Sequence, residues 1–454
     1  MIIIKIALGL LGLGIVVFIH ELGHFLGAKL VGIKVEAFSL GWGKSILKKK
    51  IKNVEYRLGM FPVGGYCKMA GENDYEKVWE DSKNNIKQEK CTFLGASPWR
   101  RIIVSFMGPF FNFLFAVIIL SIVWGIGFEE QVMENRIILA SDIEPDTIYP
   151  ADRANLISGD RIIEINGNKT DFHNDIQKII VLNPEKEIVI KIVRDGEEKL
   201  LTVTPELDKN SGAGKIGVYF WTDPVIAEII PDSFAAKAGL EPNDKIIRIN
   251  NVNVDNTVKF GNELKNILEG QIITVPLDFI RNGEEYSTEL QIPMQAGDEF
   301  GIKWSYIKYR TPSLSVPAAF VQGVKTSWET LEYSVKGLGL LFRGVNLTKA
   351  VSGPVRITYM VGEIAAEGFG QSFGTGLRDM ARFLALISIA LCVMNLLPLP
   401  ILDGGLIILF IAEMIRRKPA HPRAIKIFQM TGIFIIGALM LFALFGDILF
   451  FTQP

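Results

Sequence analysis

Four long runs of apolar residues divide the chain, and each is close to the roughly 20 residues that a membrane-spanning helix needs. They are Ile2–Val31, Ile102–Phe128, Ala381–Leu397 and Ile427–Phe451. A fifth apolar stretch, Leu406–Ile415, is too short to span and is expected to re-enter the membrane or to pack inside the protein. The pattern predicts a multi-pass α-helical membrane protein with four transmembrane helices.

Between the second and third apolar runs the pattern changes to alternating apolar and polar positions, and it occurs twice. Residues Tyr149–Gly167 match residues Ser233–Asn251 at a constant offset of 84 positions. In each copy a short alanine-rich helix leads into a turn and an alternating strand, and a hairpin turn follows at Arg194-Asp195-Gly196 or Arg281-Asn282-Gly283. The repeat predicts two tandem α+β modules outside the membrane.

These two modules resemble PDZ domains, with boundaries near residues 129–221 and 222–308. PDZ domains bind an extended chain by adding it as a strand to the edge of a sheet. The candidate edges are Arg136–Ala140 in the first module and Asp223–Ile229 in the second. Alternatively, neither groove binds a peptide, and the modules exclude bulky, folded substrates by their size alone.

The distribution of positive charge predicts the orientation in the membrane. Lysine and arginine are concentrated between the first two apolar runs, where Lys48-Lys49-Lys50 lies, and in the loop from Arg416 to Lys426. The positive-inside rule places both regions in the cytoplasm, so that residues 129–375 and both chain ends lie outside. The formal net charge of −1 argues against a nucleic-acid-binding protein. No cysteine falls between residues 128 and 380, so cysteine usage does not indicate the compartment of this region.

The segment His20-Glu21-Leu22-Gly23-His24 lies in the first apolar run and carries the clearest chemical signal. Histidines four positions apart share one helix face and can reach one metal ion, and the glutamate can act as general base on a metal-bound water. Ionisable groups at membrane depth are costly and are therefore functional candidates. The alternatives are a packed histidine pair or the apolar part of a secretory signal, although no small-residue cleavage site follows.

A zinc site needs a third protein ligand besides these two histidines. The remaining histidines fit poorly, because His173 lies in the outer region and His421 lies in the basic loop. Asp403 is the better candidate, because a carboxylate in apolar surroundings beside helix-breaking Pro and Gly residues is costly unless it meets a cation. Alternatively, Asp403 merely caps the helix that follows it.

This combination resembles the site-2 protease family of intramembrane metalloproteases, and within it the bacterial group of regulators of sigma-E protease. The resemblance rests on the motif in the first run, on the stretch Asn395–Gly404, on the similar element Gly108–Asn112, and on the two PDZ-like modules. It covers essentially the whole chain.

The resemblance implies a zinc ion held by His20, His24 and Asp403, with Glu21 as the catalytic base. Zinc rather than iron or cobalt follows from the resemblance alone, because the ligand set also allows other metals.

Two asparagines are further candidates. The resemblance implies that Asn395 and Asn112 lie near the site, where they orient substrate or stabilise developing charge. Otherwise, Asn395 caps a helix end and Asn112 makes an interhelical hydrogen bond.

The glycine-rich stretch Tyr56–Glu72 alternates and resembles the membrane-reentrant β-hairpin of this family, which offers an edge to an unfolded substrate. Gly64, Gly65 and Tyr66 are the candidate edge residues, and Val35–Gly41 is expected to pair nearby. Peptide bonds of a transmembrane helix are already hydrogen-bonded, so a substrate must unwind first. A strand edge then provides replacement hydrogen bonds.

Three further regions complete the predicted organisation. Residues 1–128 carry the first two helices, the metal motif and the β region, and residues 376–454 carry the last two helices and Asp403. Residues 309–375 contain two amphipathic stretches, 317–342 and 355–369, which predict connecting helices. These helices lie on the outer membrane surface or, equally, pack on the PDZ-like pair.

Two functions compete at this stage. The first is an intramembrane zinc endopeptidase of the bacterial inner membrane, with its active site near the cytoplasmic side. By resemblance it cleaves single-span membrane proteins after an earlier outer-side cleavage, with an anti-sigma factor and remnant signal peptides as substrates. The second is a non-catalytic scaffold, in contact with membrane lipid, that binds periplasmic peptides through its PDZ-like pair. The scaffold leaves the metal-binding pattern unexplained.

Overall fold

A computed structural model of the chain describes residues 2–83, 89–269, 274–291, 300–341 and 353–452. The predicted ranges 1–128, 222–308, 309–375 and 376–454 each include some residues that lie outside the described ones.

Helices and strands are numbered in chain order. The N-terminal part consists of α1 (Ile2–Leu30), β1 (Val35–Ile51), β2 (Val54–Met69), α2 (Tyr75–Lys83) and α3 (Pro98–Ile126). The first repeat region contains β3 (Phe128–Val132), β4 (Ile137–Leu139), α4 (Pro150–Arg153), β5 (Arg161–Ile165), β6 (Asn168–Lys169), α5 (His173–Val181), β7 (Ile188–Arg194), β8 (Glu197–Val203), β9 (Glu206–Leu207), β10 (Gly214–Lys215) and β11 (Val218–Phe220). The second contains β12 (Ile226–Ile229), α6 (Phe234–Lys237), β13 (Lys245–Ile249), β14 (Val252–Asn253), α7 (Thr257–Glu269), β15 (Thr274–Arg281), β16 (Glu284–Gln291), β17 (Ile302–Trp304) and β18 (Ile307–Thr311). The C-terminal part consists of α8 (Val316–Leu341), α9 (Pro354–Gln371), α10 (Phe373–Asn395), α11 (Asp403–Arg416) and α12 (Pro422–Thr452).

The chain forms two compact units. One contains Met1–Phe128, Pro312–Phe342 and Asn346–Pro454, and therefore all of the long apolar helices. The other contains Glu129–Thr311, and therefore both repeats.

In the described part of the chain, three helices are long and apolar enough to cross a membrane: Ile6–Leu30, Pro98–Ile126 and Pro422–Phe450. They correspond to the first, second and fourth predicted spans. The predicted third span lies in α10, which is 23 residues long but carries Arg378, Asp379 and Arg382 in its first half. These charges set α10 apart from the other three helices, so the third span stays a prediction.

Helices α1 and α3 pack closely because glycine removes side chains from their interface. A Cβ atom at Gly23 would overlap the backbone of Met107, and one at Gly27 would lie 2.9 Å from the Met107 side chain. Such small residues allow close backbone approach, which is how helices associate in a lipid environment. The segment of α1 that carries His20 and His24 is therefore packed tightly against α3.

The two connecting helices pack against the apolar helices. Trp124 of α3 donates a hydrogen bond from Nε1 to Oγ1 of Thr326 on α8, at 3.2 Å. A Cβ atom at Gly12 of α1 would lie 3.2 Å from Val361 of α9. The contacts that position α8 and α9 in this unit therefore come from the apolar helices.

A buried carboxylate in the last apolar helix caps the start of α9. Asp447 of α12 is 2% exposed and accepts hydrogen bonds from the backbone N–H groups of Gly353, Val355 and Arg356, at 2.8, 3.0 and 3.2 Å. Gly353 is the N-cap residue of α9 and has no side chain with which to cap it. Asp447 therefore satisfies donors that every helix start leaves unpaired.

Strands β1 and β2 pair along two different registers. Ser39 lies opposite Tyr66 and also opposite Arg57, so this part of β1 has partners on both sides. Its inner face packs on α1, where the Phe38 ring contacts the Phe25 ring with centroids 4.9 Å apart. The lysine run Lys48-Lys49-Lys50 lies exposed within β1 rather than in a loop, because it pairs with Glu55–Arg57 of β2.

The two repeats share one construction. Each has a four-stranded sheet, in the order β6-β5-β7-β8 and β14-β13-β15-β16, and each adds a two-stranded sheet, β4 with β11 and β12 with β17. In the first copy Arg194 binds the fully buried carboxylate of Asp160 through two nitrogens, at 2.8 and 2.7 Å. In the second copy Arg281 binds Asp244 with the same distances. The internal repeat is therefore present in the packing as well as in the sequence.

Candidate metal centre

The metal motif and Asp403 meet inside the helical unit. His20 and His24 lie one turn apart on α1, and Asp403 is the first residue of α11. Nε2 of His20 is 3.2 Å from Oδ2 of Asp403, and Nε2 of His24 is 3.4 Å from Oδ1. The two Nε2 atoms are 3.1 Å apart.

These distances fit a tetrahedral metal site. With zinc–ligand bonds of about 2.0–2.2 Å, two ligands of a tetrahedron lie roughly 3.3 Å apart. The three donor–donor distances, 3.1, 3.2 and 3.4 Å, are close to that value. Two imidazole nitrogens and a carboxylate converging in this way favour a cation between them, and they leave a fourth position for water or substrate.

Each imidazole is oriented by a group on α3. Nδ1 of His24 lies 2.9 Å from the carbonyl oxygen of Val104, to which it donates its proton. The amide of Asn112 lies 3.2 Å from Nδ1 of His20. The two ends of an amide are interchangeable in assignment, and Oδ1 facing Nδ1–H leaves the Nε2 lone pair of His20 for a metal.

Asn112 also links α3 to α10. It is fully buried, and Ser388 of α10 donates a hydrogen bond to its backbone oxygen at 2.9 Å. Asn112 thus makes the interhelical hydrogen bonds that the sequence left as the alternative, and its contact with substrate stays a prediction.

Glycine is required where α3 approaches the histidines. A Cβ atom at Gly108 would lie 2.5 Å from Nε2 of His24 and 2.9 Å from Cε1 of His20. No side chain fits there without displacing a ligand atom. In the Gly-x-x-x-Asn element, Gly108 thus lets the backbone of α3 come close to the histidines, and Asn112 provides an amide that supports His20.

A tight turn places Asp403. Leu402 is the N-cap residue of α11 and Asp403 follows it, so Asp403 does not serve as the cap. Ile401 adopts a φ of 78°, which is strained for a β-branched residue and costs about 1–3 kcal/mol. Cβ atoms at Gly404 or Gly405 would overlap the backbone of the preceding turn. The turn directs the carboxylate at the imidazoles.

Glu21 lies between the histidines and the hairpin. A Cβ atom at Gly65 of β2 would be 3.4 Å from Cγ of Glu21, which is an ordinary contact distance, so β2 passes directly beside the glutamate. Neighbouring Gly64 has a φ of 82° and lies against Trp42. The hydroxyl of Tyr66 accepts a hydrogen bond from Nη1 of Arg57 at 2.8 Å.

Three further candidates form no hydrogen bond with the ligand side chains within the described residues. Asn395 is the last residue of α10 and is half-buried, and within the described residues no hydrogen bond joins it to the three ligand side chains. His173 lies in α5 of the other unit, where burial lowers its pKa. His421 is exposed ahead of α12. Among the described residues, the group able to hold a metal consists of His20, His24 and Asp403.

Sequence reasoning missed several residues that hold the helices together. Arg101 of α3 and Glu413 of α11 form a buried ion pair at 2.6 Å, with side chains 6% and 5% exposed. Asp447 is the second example. The signal that could have found them is a charged residue within an apolar run, the same signal that singled out Asp403.

An apolar helical unit that directs two imidazoles and a carboxylate at one point belongs to the class of membrane-embedded metalloproteases. The chain is a member of peptidase family M50, whose model matches residues 8–439. It is 35% identical over 449 residues to a putative zinc metalloprotease of Treponema pallidum (strain Nichols), covering 98% of this chain and 99% of the relative.

Two further relatives have more specific names. The chain is 28% identical over 468 residues to the regulator of sigma E protease of Haemophilus influenzae, covering 97% of both chains. It is 30% identical over 467 residues to protease RseP of Yersinia pestis, covering 98% of both chains. The resemblance to the site-2 proteases is confirmed, and the protein is an integral membrane, zinc-dependent intramembrane protease. The scaffold hypothesis is set aside.

Proposed function

We propose that His20, His24 and Asp403 hold the catalytic zinc ion and that Glu21 is the general base. The observation that carries this assignment is the convergence of two imidazole nitrogens and one carboxylate. The two Nε2 atoms are 3.1 Å apart, and each lies 3.2 or 3.4 Å from an oxygen of Asp403, while Glu21 follows His20 in the same helix. Zinc, when bound, lowers the pKa of its water and polarises the scissile carbonyl.

The residues of the chain supply the remaining chemistry. The carboxylate of Glu21 takes the proton from the attacking water and delivers it to the leaving amine nitrogen. Val104 and Asn112 keep the imidazole Nε2 atoms facing the metal, because each occupies the opposite ring nitrogen. Asn395 orients the substrate or stabilises developing charge. Asn112 could share that role only by giving up its contact with His20.

The edge of β2 around Gly64, Gly65 and Tyr66 receives the unwound substrate. Supporting this role, Gly65 and Tyr66 lie opposite Leu40 and Ser39 of β1, and Gly65 also adjoins Glu21. A chain added to the other side of this strand would pass close to the base. The backbone of β2 would then replace the hydrogen bonds that the substrate loses on unwinding.

The substrate is a single-span membrane protein of the bacterial inner membrane, cut after an earlier outer-side cleavage. Names of relatives such as the regulator of sigma E protease support an anti-sigma factor, and remnant signal peptides fit the same requirement. In this arrangement α10 is the third span, the repeats and both termini are periplasmic, and the active site lies near the cytoplasmic side.

The two repeats are PDZ domains. Their matched sheets and hairpins support this assignment, and β4 and β12 lie within the candidate peptide-binding edges. They bind peptides at these edges or exclude folded substrates by size.

The test is Glu21→Gln, which keeps the size of the side chain and removes the base. We expect cleavage of a tagged, pre-shortened single-span substrate in proteoliposomes to fall about 10²–10⁴-fold. Bound zinc should stay at the wild-type level. Glu36→Gln is the matched control, because Glu36 is an exposed residue of β1 that forms an ion pair with Lys68 of β2. Wild-type cleavage by Glu21→Gln would exclude the base assignment.

A further inference from the structure

A cavity of about 480 Å³ lies between the N-terminal end of α3 and the C-terminal end of α11. This volume is within the range of about 300–1,000 Å³ that small-molecule sites occupy. It is distinct from the metal centre, because Glu413 in its wall follows Asp403 by ten residues, or roughly 15 Å along a helix. Leu94 and Met414 supply part of an apolar wall.

The inner wall is a buried charged pair that is already engaged. Glu413 accepts from Nη2 of Arg101 at 2.6 Å through one oxygen and from the backbone N–H of Ala420 at 2.9 Å through the other. Nε of Arg101 is buried and has no hydrogen-bond partner among the described residues. Each oxygen of the carboxylate thus already has one donor, and its charge is balanced by Arg101.

Two more cations line the outer wall. Arg417 and Lys418 are exposed, and neither forms an ion pair with an acidic residue within the described part of the chain. The cavity thus collects three positive side chains and one carboxylate that is already neutralised. The positive-inside rule explains why such residues occur in this loop, but not why these two surround a cavity beside a buried arginine.

We propose that this cavity binds a phosphate group, carried either by an anionic lipid headgroup or by a free phosphate anion. Guanidinium groups match the geometry of phosphate oxygens, and basic pockets between membrane helices bind acidic headgroups. The apolar wall and the start of the spanning helix α3 at Pro98 suit a headgroup whose acyl chains continue along the helices. The proposal does not depend on the catalytic assignment.

The test compares ligands by the thermal unfolding of the purified full-length protein. The probes are dihexanoylphosphatidylglycerol, dihexanoylphosphatidylcholine and inorganic phosphate, at matched ionic strength. We expect the phosphatidylglycerol to raise the unfolding midpoint and the phosphatidylcholine to leave it unchanged. Stabilisation by inorganic phosphate at similar concentrations would identify soluble phosphate as the source, whereas its absence would identify the lipid.

A matched pair of variants tests the place of binding. Arg417→Gln/Lys418→Gln removes two cavity charges, and Arg423→Gln/Lys426→Gln removes two exposed charges at the start of the next helix that do not line the cavity. We expect the apparent affinity for the stabilising probe to weaken about tenfold or more in the first variant only. Equal weakening in both variants, or no stabilisation of the wild type by either anion, would overturn the proposal.

Discussion

Asp403 and Asp447 are both carboxylates associated with apolar helices, yet their surroundings differ. Asp403 keeps 12% of its side chain exposed and faces two imidazole nitrogens. Asp447 is 2% exposed and accepts three backbone N–H groups at the start of α9. The first carboxylate leaves its charge to be balanced by a cation, whereas the second is satisfied by the protein backbone.

The difference shows that a buried charge must have a compensating partner, but not which kind of partner it has. A carboxylate at membrane depth must be compensated, but the backbone N–H groups of a helix start can do this without a metal. Glu413 is a third case, compensated by Arg101 at 2.6 Å. The partner therefore decides whether such a residue serves chemistry or architecture.

The largest effect is expected at Asp403. Asp403→Asn removes the anionic ligand, and we expect zinc affinity to fall by more than the 10–100-fold that loss of a supporting group costs, with cleavage abolished. The unfolding midpoint of the metal-free protein should change little, because the contact has no structural role without the ion. Zinc content and thermal unfolding of chelator-treated protein would measure the two effects separately. Full zinc occupancy in Asp403→Asn would show that Asp403, like Asp447, is not a metal ligand.

Glu413 should give the largest loss of stability. Glu413→Leu leaves Arg101 buried without its partner, which costs about 3–5 kcal/mol. The double variant Arg101→Met/Glu413→Leu removes both charges and should recover most of this loss. Denaturant unfolding in detergent would measure both variants. If the double variant were no more stable than the single one, the ion pair would not be the source of the loss.

Asn112 separates support of the metal from contact with substrate. Asn112→Ala removes the group that orients His20, and we expect zinc affinity to fall about 10–100-fold. Added zinc should therefore restore cleavage. Asn395→Ala is the comparison, because a residue that acts on substrate lowers cleavage without changing zinc affinity. A zinc-independent defect in Asn112→Ala would instead place Asn112 with Asn395.

The smallest of these effects is expected at Asp447. Asp447→Ala removes the cap of α9, and we expect about 1–2 kcal/mol lower stability with unchanged zinc content. Asp447→Asn retains an acceptor oxygen and should recover most of the loss. Unfolding of both variants beside a zinc assay would measure this. Loss of zinc in Asp447→Ala would show that the two carboxylates are not independent.

The local part of this structure could be predicted from sequence. The spacing of His20 and His24 fixes a shared helix face, and the turn-forming residues around Asp403 mark a break in a helix. The 84-position offset between repeats survives as matched sheets and as the Asp160 and Asp244 ion pairs. These features depend on neighbours within a few turns or within one module.

The remainder depends on partners that are distant in sequence. Asp447 bonds to Gly353, 94 positions earlier, and Arg101 bonds to Glu413, 312 positions later. The double pairing of Ser39 is set by how β1 and β2 fold back on each other, which alternation alone does not encode. Likewise, α10 carries three charged residues in its first half, so apolarity alone does not establish it as a membrane span.

The duplicated ion pair has a consequence for how this protein can change over evolution. Arg194 also donates a hydrogen bond to the carbonyl oxygen of Asn155, and Arg281 donates one to that of Gly239. In each module the arginine therefore links the turn to the hairpin of the same module. Neither module depends on residues of the other for this ion pair. Either module can therefore change in sequence during evolution without loss of the ion pair that stabilises the other.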